Sequence, residues 1–214
     1  RVLRGGEDQV RIEARPAART RERLAKVVIR AARDGEGNLA IGAEWPPPGR
    51  LDNEGCSFAV TLPGAEGVEL ESRNGAIHLE GLRGPARLGT TNGSVHVPGH
   101  RGPLEVATTN SAVTARVPAG QVRVRTTNGA VTVTAGTGPV DLRSTNGAVR
   151  LTAGPAFGGA LSLATTNGRI LLPRGAGTAV LARSRNRARL QLGEGGEASR
   201  ITTTNGEIAV RRGG

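Results

Sequence analysis

The chain has 214 residues, with 33 Gly, 12 Pro, two Phe, one Trp and no Tyr or Met. So few aromatic residues exclude a wide core built on large rings and leave Val, Leu, Ile, Ala and Thr to fill a thin interior. The net charge of +11 sits almost wholly in residues 101–214, where 15 Lys+Arg face 5 Asp+Glu, against 14 and 13 in residues 1–100.

A field of that sign favours anionic partners, namely acidic polysaccharide, lipid head groups or nucleic acid. A genome-wide preference for Arg explains the excess equally well, since only Lys26 breaks an all-Arg set. Cys56 is the only cysteine, so an internal disulfide and a cysteine metal cluster are excluded. No apolar run approaches the ~18–20 residues of a membrane span. The chain opens at Arg1 and has no Met, which predicts that its natural start was removed, and a signal peptide or anchor with it.

In chain order, residues 1–66 read as a strand-rich cap or irregular first coils. Val10, Ile12 and Ala14 alternate as a strand does. Thr20–Lys26 suits a short helical turn. Val27–Ala32 and Leu39–Glu44 flank Asp34-Gly35-Glu36-Gly37-Asn38, a hairpin pattern. After Trp45-Pro46-Pro47-Pro48, Phe58–Leu62 reads as another strand.

Residues 67–214 are repetitive. An Asn, usually followed by Gly, recurs at Asn74, Asn92, Asn110, Asn128, Asn146, Asn167, Asn186 and Asn205, at spacings of 18, 18, 18, 18, 21, 19 and 19. Apolar residues lie six and four before it, as in Val122/Val124 and Val140/Leu142. Others lie three and five after it, as in Val131/Val133 and Val149/Leu151. Both are period-two patterns of strands with one buried face. Asn-Gly between them predicts a tight turn through tolerance of positive φ. Each unit is therefore strand, turn, strand, turn.

A string of antiparallel hairpins and a solenoid of stacked parallel strands both fit. The outward residue five before the Asn decides between them. It runs Glu69, Arg87, Glu105, Arg123, Asp141, alternating in sign, and only stacked coils place these residues side by side. The fold class is thus all-β, a parallel β-solenoid of about eight coils of ~18 residues with a β-rich N-terminal cap.

Parity places the recurrent Asn and the Ser or Thr two before it on the inward side. All eight asparagines are then expected to form a structural ladder from coil to coil. Arg187 replaces the turn Gly after Asn186, predicting a bulge or widened turn. The 21-residue spacing predicts a protruding loop at Gly154–Ala160, which carries Phe157. The C-terminal coil, ending Arg211-Arg212-Gly213-Gly214, is expected to leave an open edge that pairs with another chain.

Nucleotide and Ca²⁺-repeat motifs are absent from the sequence. His78 and His96 are expected side by side on the surface, with His100 and Glu80 nearby. This reads as an exposed polar pair rather than a metal site, so no metal or cofactor is expected. Acid/base pairs and Ser/His/Asp sets are likewise missing, and the chain is expected not to be an enzyme. The functional lead is a basic face of Arg123, Arg125, Arg143, Arg183, Arg185, Arg187, Arg189 and Arg200, suited to phosphate, sulfate or carboxylate. Nucleic acid is disfavoured because the face lacks stacking aromatics.

The Thr-Thr-Asn-Gly units at Asn92, Asn128, Asn167 and Asn205, with the variants at Asn74 and Asn146, resemble the bacterial putative-adhesin family over roughly residues 9–210. That is a domain of unknown function with repeated Thr/Ser-Asn-Gly coils. The resemblance implies a β-solenoid, often exported or membrane-anchored, without shared catalytic residues. The expected role is a surface or envelope binding module for an anionic partner. The rival readings are a self-assembling, bactofilin-like scaffold and a polysaccharide-active enzyme.

Overall fold

The computed structural model describes residues 2–4, 10–173 and 177–213. The lead-in supplies β1 (Val2–Arg4), β2 (Arg11–Ala17), α1 (Arg21–Ala25), β3 (Val28–Arg33), β4 (Leu39–Glu44) and β5 (Gly55–Leu62). Coils follow as strand pairs: β6 (Val68–Ser72) with β7 (Ile77–Arg83), β8 (Ala86–Thr90) with β9 (Val95–Arg101), and β10 (Leu104–Thr108) with β11 (Val113–Val117). Next come β12 (Val122–Thr126) with β13 (Val131–Ala135), β14 (Val140–Ser144) with β15 (Val149–Ala153), and β16 (Gly159–Thr165) with β17 (Ile170–Leu171). A hairpin of β18 (Thr178–Arg183) and β19 (Arg187–Leu192) precedes the last coil, β20 (Ser199–Thr203) with β21 (Ile208–Arg212).

The first strands of the coils stack into a nine-stranded sheet and the second strands into a ten-stranded sheet. The coil strands run parallel and in register, with Leu104 between Ala86 and Val122, and Val131 between Val113 and Val149. The fold is the parallel β-solenoid that the periodicity predicts. Its interior is one continuous column of Val, Leu and Ile, in which Val122, Val124, Val131, Leu142, Leu161 and Ile208 are fully buried.

Coil order departs from chain order. β20 lies between β14 and β16, and β21 between β15 and β17. The chain leaves one slot vacant after β15, builds the next coil, turns back through the β18–β19 hairpin, and fills the slot with its last coil. This accounts for the 21-residue spacing. The connection climbs two strand spacings, about 9.6 Å rather than 4.8 Å, and three extra residues cover the difference. The loop carrying them does not protrude as expected: Phe157 is buried in the core, and its carbonyl accepts a hydrogen bond from Arg212 Nη1 at 3.0 Å. Nor is the C-terminal coil an open edge, because it is paired on both sides; Gly214 lies outside the described residues.

The asparagine ladder is present, but on the outer corner of the coils. In the order Asn74, Asn92, Asn110, Asn128, Asn146, Asn205, Asn167, Nδ2 of each residue after the first donates to Oδ1 of the one before it at 2.7–2.8 Å. Their side chains are exposed rather than inward, because the turn interrupts the strand parity on which the inward assignment rested. The hydroxyls two residues earlier do point inward at Thr90, Thr108, Thr126, Ser144, Thr165 and Thr203, whereas Ser184, in the hairpin, is exposed. Thr90 accepts from Gly93 N at 3.2 Å, and Ser144 Oγ donates to Gly129 O in the preceding coil at 3.0 Å. Asn186 is outside the ladder, since its unit is the antiparallel hairpin, where the backbone register shifts between Val180 and Ala182.

The turn glycines serve close packing rather than positive φ. None of Gly75, Gly93, Gly129, Gly147, Gly168 and Gly206 has positive φ. A Cβ on Gly147 would instead lie 1.9 Å from Gly129 O, and one on Gly206 would lie 2.1 Å from Gly147 O.

At the N-terminal end, β1 is inserted between β5 and β7, and β2 closes the sheet antiparallel to β5. The β3–β4 hairpin forms a separate two-stranded sheet. Thr20 caps α1 by accepting from Arg23 N. The Arg23 side chain meets the buried Glu54 carboxylate through two bonds at 2.8 and 2.9 Å, and Leu51 N and Arg19 N also donate to Glu54. These donors hold the carboxyl down at about 2.

Candidate functional site: an arginine face on the nine-stranded sheet

Alternation along each strand aims every second residue of the nine-stranded sheet outward. In-register stacking then turns sequence positions into columns. The first column is Glu69, Arg87, Glu105, Arg123, Asp141 and Arg200, followed by Ser162 and Arg189. The predicted sign alternation holds, and the inserted coil extends it to a sixth member. Arg87 lies 3.8 Å from Glu105, and Arg123 lies 4.0 Å from Asp141. Exposed pairs of this kind are worth ~0–1 kcal/mol each, so their weight is in register rather than stability.

The second column runs Glu71, Gly89, Ala107, Arg125, Arg143, Thr202, Ala164 and Arg187. Arg125 and Arg143 are direct neighbours without an intervening acid. Asp141 grips Arg143 through two bonds at 2.9 and 3.0 Å, which raises the Arg143 pKa above its ordinary value. Sequence reasoning placed Asp141 in the charge column but missed its grip on Arg143. Asp141 sits two residues from Arg143 on one strand, a same-face spacing that would have exposed the pair.

From β12 to β19 the two columns thus gather Arg123, Arg125, Arg143, Arg200, Arg189 and Arg187 around one acid, Asp141. Of the predicted basic residues, Arg183 and Arg185 are not on this face. Arg183 is register partner to the buried Ala188, and Arg185 lies in the hairpin turn. Small side chains at Gly89 and Ala107 leave a shallow groove of about 180 Å³ beside the basic area, lined also by Glu69, Arg87 and Glu105.

His78 and His96 are register partners on the opposite sheet, with ring centroids 5.2 Å apart, and His78 Nε2 lies 3.2 Å from Glu80. His100 is not beside them on the surface. It occupies a fully buried core position, where burial lowers its pKa against opposing contacts with nearby backbone carbonyls. Among the described residues, no three His, Cys, Asp or Glu side chains are grouped to hold a metal.

No protein-family model and no curated protein matches the chain. Among solved structures, it is similar to a putative cell adhesion protein from Clostridium sporogenes ATCC 15579. The identity is 11%, over 99% of this chain and 87% of that one, with a TM-score of 0.40.

Proposed function

We propose that the chain is a non-catalytic, adhesin-like module of the cell envelope that presents the arginine face to an anionic polysaccharide. The supporting observation is the Arg125–Arg143 pair, register partners on adjacent parallel strands with Asp141 orienting one of them. Planar guanidinium donors match carboxylate and sulfate oxygens in pairs. Strands about 4.8 Å apart present such donors at a fixed repeat, which suits a polymer bearing regularly placed anions. The face carries no aromatic platform for neutral sugars or bases, and Phe157 is buried.

The test is binding of the purified chain to an acidic polysaccharide, a neutral polysaccharide and anionic vesicles across a salt series. The proposal expects retention on the acidic polymer that falls steeply with salt. Arg125→Ala with Arg143→Ala should weaken it about tenfold or more, ~1.4 kcal/mol. Equal binding to the neutral polymer, or wild-type affinity in the double variant, would refute it. Binding confined to vesicles would move the partner to lipid head groups.

A further inference from the structure

A second grouping of side chains with coordinating chemistry lies on the ten-stranded sheet. His78 of β7 and His96 of β9 are register partners, so they leave the same face of adjacent strands about 4.8 Å apart. Their ring centroids are 5.2 Å apart and their planes are tilted by 35°. His96 is exposed and His78 half-buried. Two nitrogens bound to one ion at about 2.0–2.1 Å each stand no more than about 4 Å apart. A small turn of the exposed His96 ring brings nitrogens of the two neighbouring rings within that limit.

Two further observations converge on the pair. The Glu80 carboxylate lies 3.2 Å from His78 Nε2. With Nε2–H donating to Glu80, Nδ1 of His78 carries the lone pair and is the nitrogen left to coordinate. A carboxylate behind an imidazole orients a metal-ligating histidine and raises its basicity. The pairing of β7 with β9 also slips by one residue after His78, setting Glu80 opposite Gly99, and is back in register at Arg83. Irregularities of this kind re-aim side chains beside functional sites. Gly99 does not have positive φ, and a Cβ there would meet nothing within 4 Å. Neither packing nor backbone conformation calls for glycine at that position, and open space is left beside Glu80. The sequence pattern placed Glu80 near the histidines but showed neither its contact with His78 nor the slip.

We propose that His78 and His96 form a two-histidine chelate for a first-row divalent metal ion, Cu(II) above all, with Glu80 positioning His78 and water filling the remaining coordination positions. Imidazole suits copper, nickel and zinc, and the divalent series places copper highest. Two protein nitrogens with open positions make a site that exchanges its ion rather than a closed structural one. That agrees with the lack of a three-residue metal cluster among the described residues. The chelate lies on the sheet opposite Arg125 and Arg143, so it stands or falls separately from anion binding.

Titration with copper(II) chloride, read by calorimetry and electron paramagnetic resonance, provides the test. A Cys56→Ser background removes the one thiol. One ion should bind per chain, with hyperfine structure from two imidazole nitrogens. His78→Thr and His96→Thr should each weaken binding tenfold or more, ~1.4 kcal/mol, and leave one imidazole nitrogen in the spectrum. Threonine is chosen because Thr114 holds the same register position in the next coil, and metal-free melts matching the parent establish that the variants fold. Glu80→Gln should weaken binding about tenfold yet keep the two-nitrogen spectrum, as a positioning residue requires. Arg125→Ala/Arg143→Ala should bind copper like the parent. A parent chain that binds no copper below millimolar concentration, a parent spectrum without two imidazole nitrogens, or a His78→Thr/His96→Thr variant that binds as tightly as the parent would each overturn the proposal.

Discussion

Replacing Gly147 by Ala tests the packing of the solenoid corner at one methyl group. The new Cβ would lie 1.9 Å from Gly129 O, whereas contacts under 3.0 Å are essentially never observed, so the two turns must separate by at least about 1.1 Å. That movement opens the Asn146 N to Thr127 O bond at 2.7 Å and the Asn146 to Asn128 ladder bond at 2.8 Å. Overpacking costs roughly 1–3 kcal/mol and a lost hydrogen bond roughly 1 kcal/mol, the exposed amide recovering most of its share from water. Ser111 shows that one corner accommodates a side chain at this position, and its Oγ is buried without a partner. The expected loss is therefore about 2–4 kcal/mol, or roughly 8 °C in Tm for a chain of this size. Thermal unfolding by far-ultraviolet circular dichroism reads it directly. Gly35→Ala is the matched control, because its Cβ would meet nothing within 4 Å and the change should stay within about 0.5 kcal/mol. Equal melting temperatures for the two variants would refute the close-packing account of the turn glycines.

Three further outcomes follow from the same geometry. Asn128→Asp removes the donor to Asn110 and sets two acceptors face to face, so at neutral pH it should cost about 1–2 kcal/mol, partly regained on acidification below roughly pH 4; urea unfolding at two pH values measures this. His100 is buried with its pKa below the ordinary 6.5. The unfolded chain therefore binds the extra proton first, and stability should fall as pH drops through 6.5. His100→Leu should flatten that slope. Glu54 has its pKa lowered to about 2, so its contribution is complete above the ordinary carboxylate range and fades as pH falls toward 2. Glu54→Gln should remove that acid-side dependence and loosen α1, read as faster amide exchange around Arg23.

The coil architecture was legible because repetition samples each position several times. Alternating Val and Leu marked the buried face, and Glu69, Arg87, Glu105, Arg123 and Asp141 marked the register. The stacking order was not legible from the motifs, since equivalent coils fit any slot. The charge column held the missing signal: Asp141 calls for a cation beside it, which Arg200 supplies and Ser162 does not. The outward asparagines were missed because residue parity fails across a turn. The arginine face lost Arg183 and Arg185 because unit Asn186 was counted as a coil, although its missing turn Gly already set it apart.

The inserted last coil is tested most directly by disulfide trapping in a Cys56→Ser background. Thr202 is the register partner of Arg143, and Ala164 lies one strand beyond it. Arg143→Cys with Thr202→Cys places the pair about 4.8 Å apart between adjacent strands, within disulfide reach, and should crosslink on mild oxidation. Arg143→Cys with Ala164→Cys spans about 9.6 Å, beyond the ~7 Å limit, and should stay reduced. The reverse result would show that the coils stack in chain order and would contradict the fold described above.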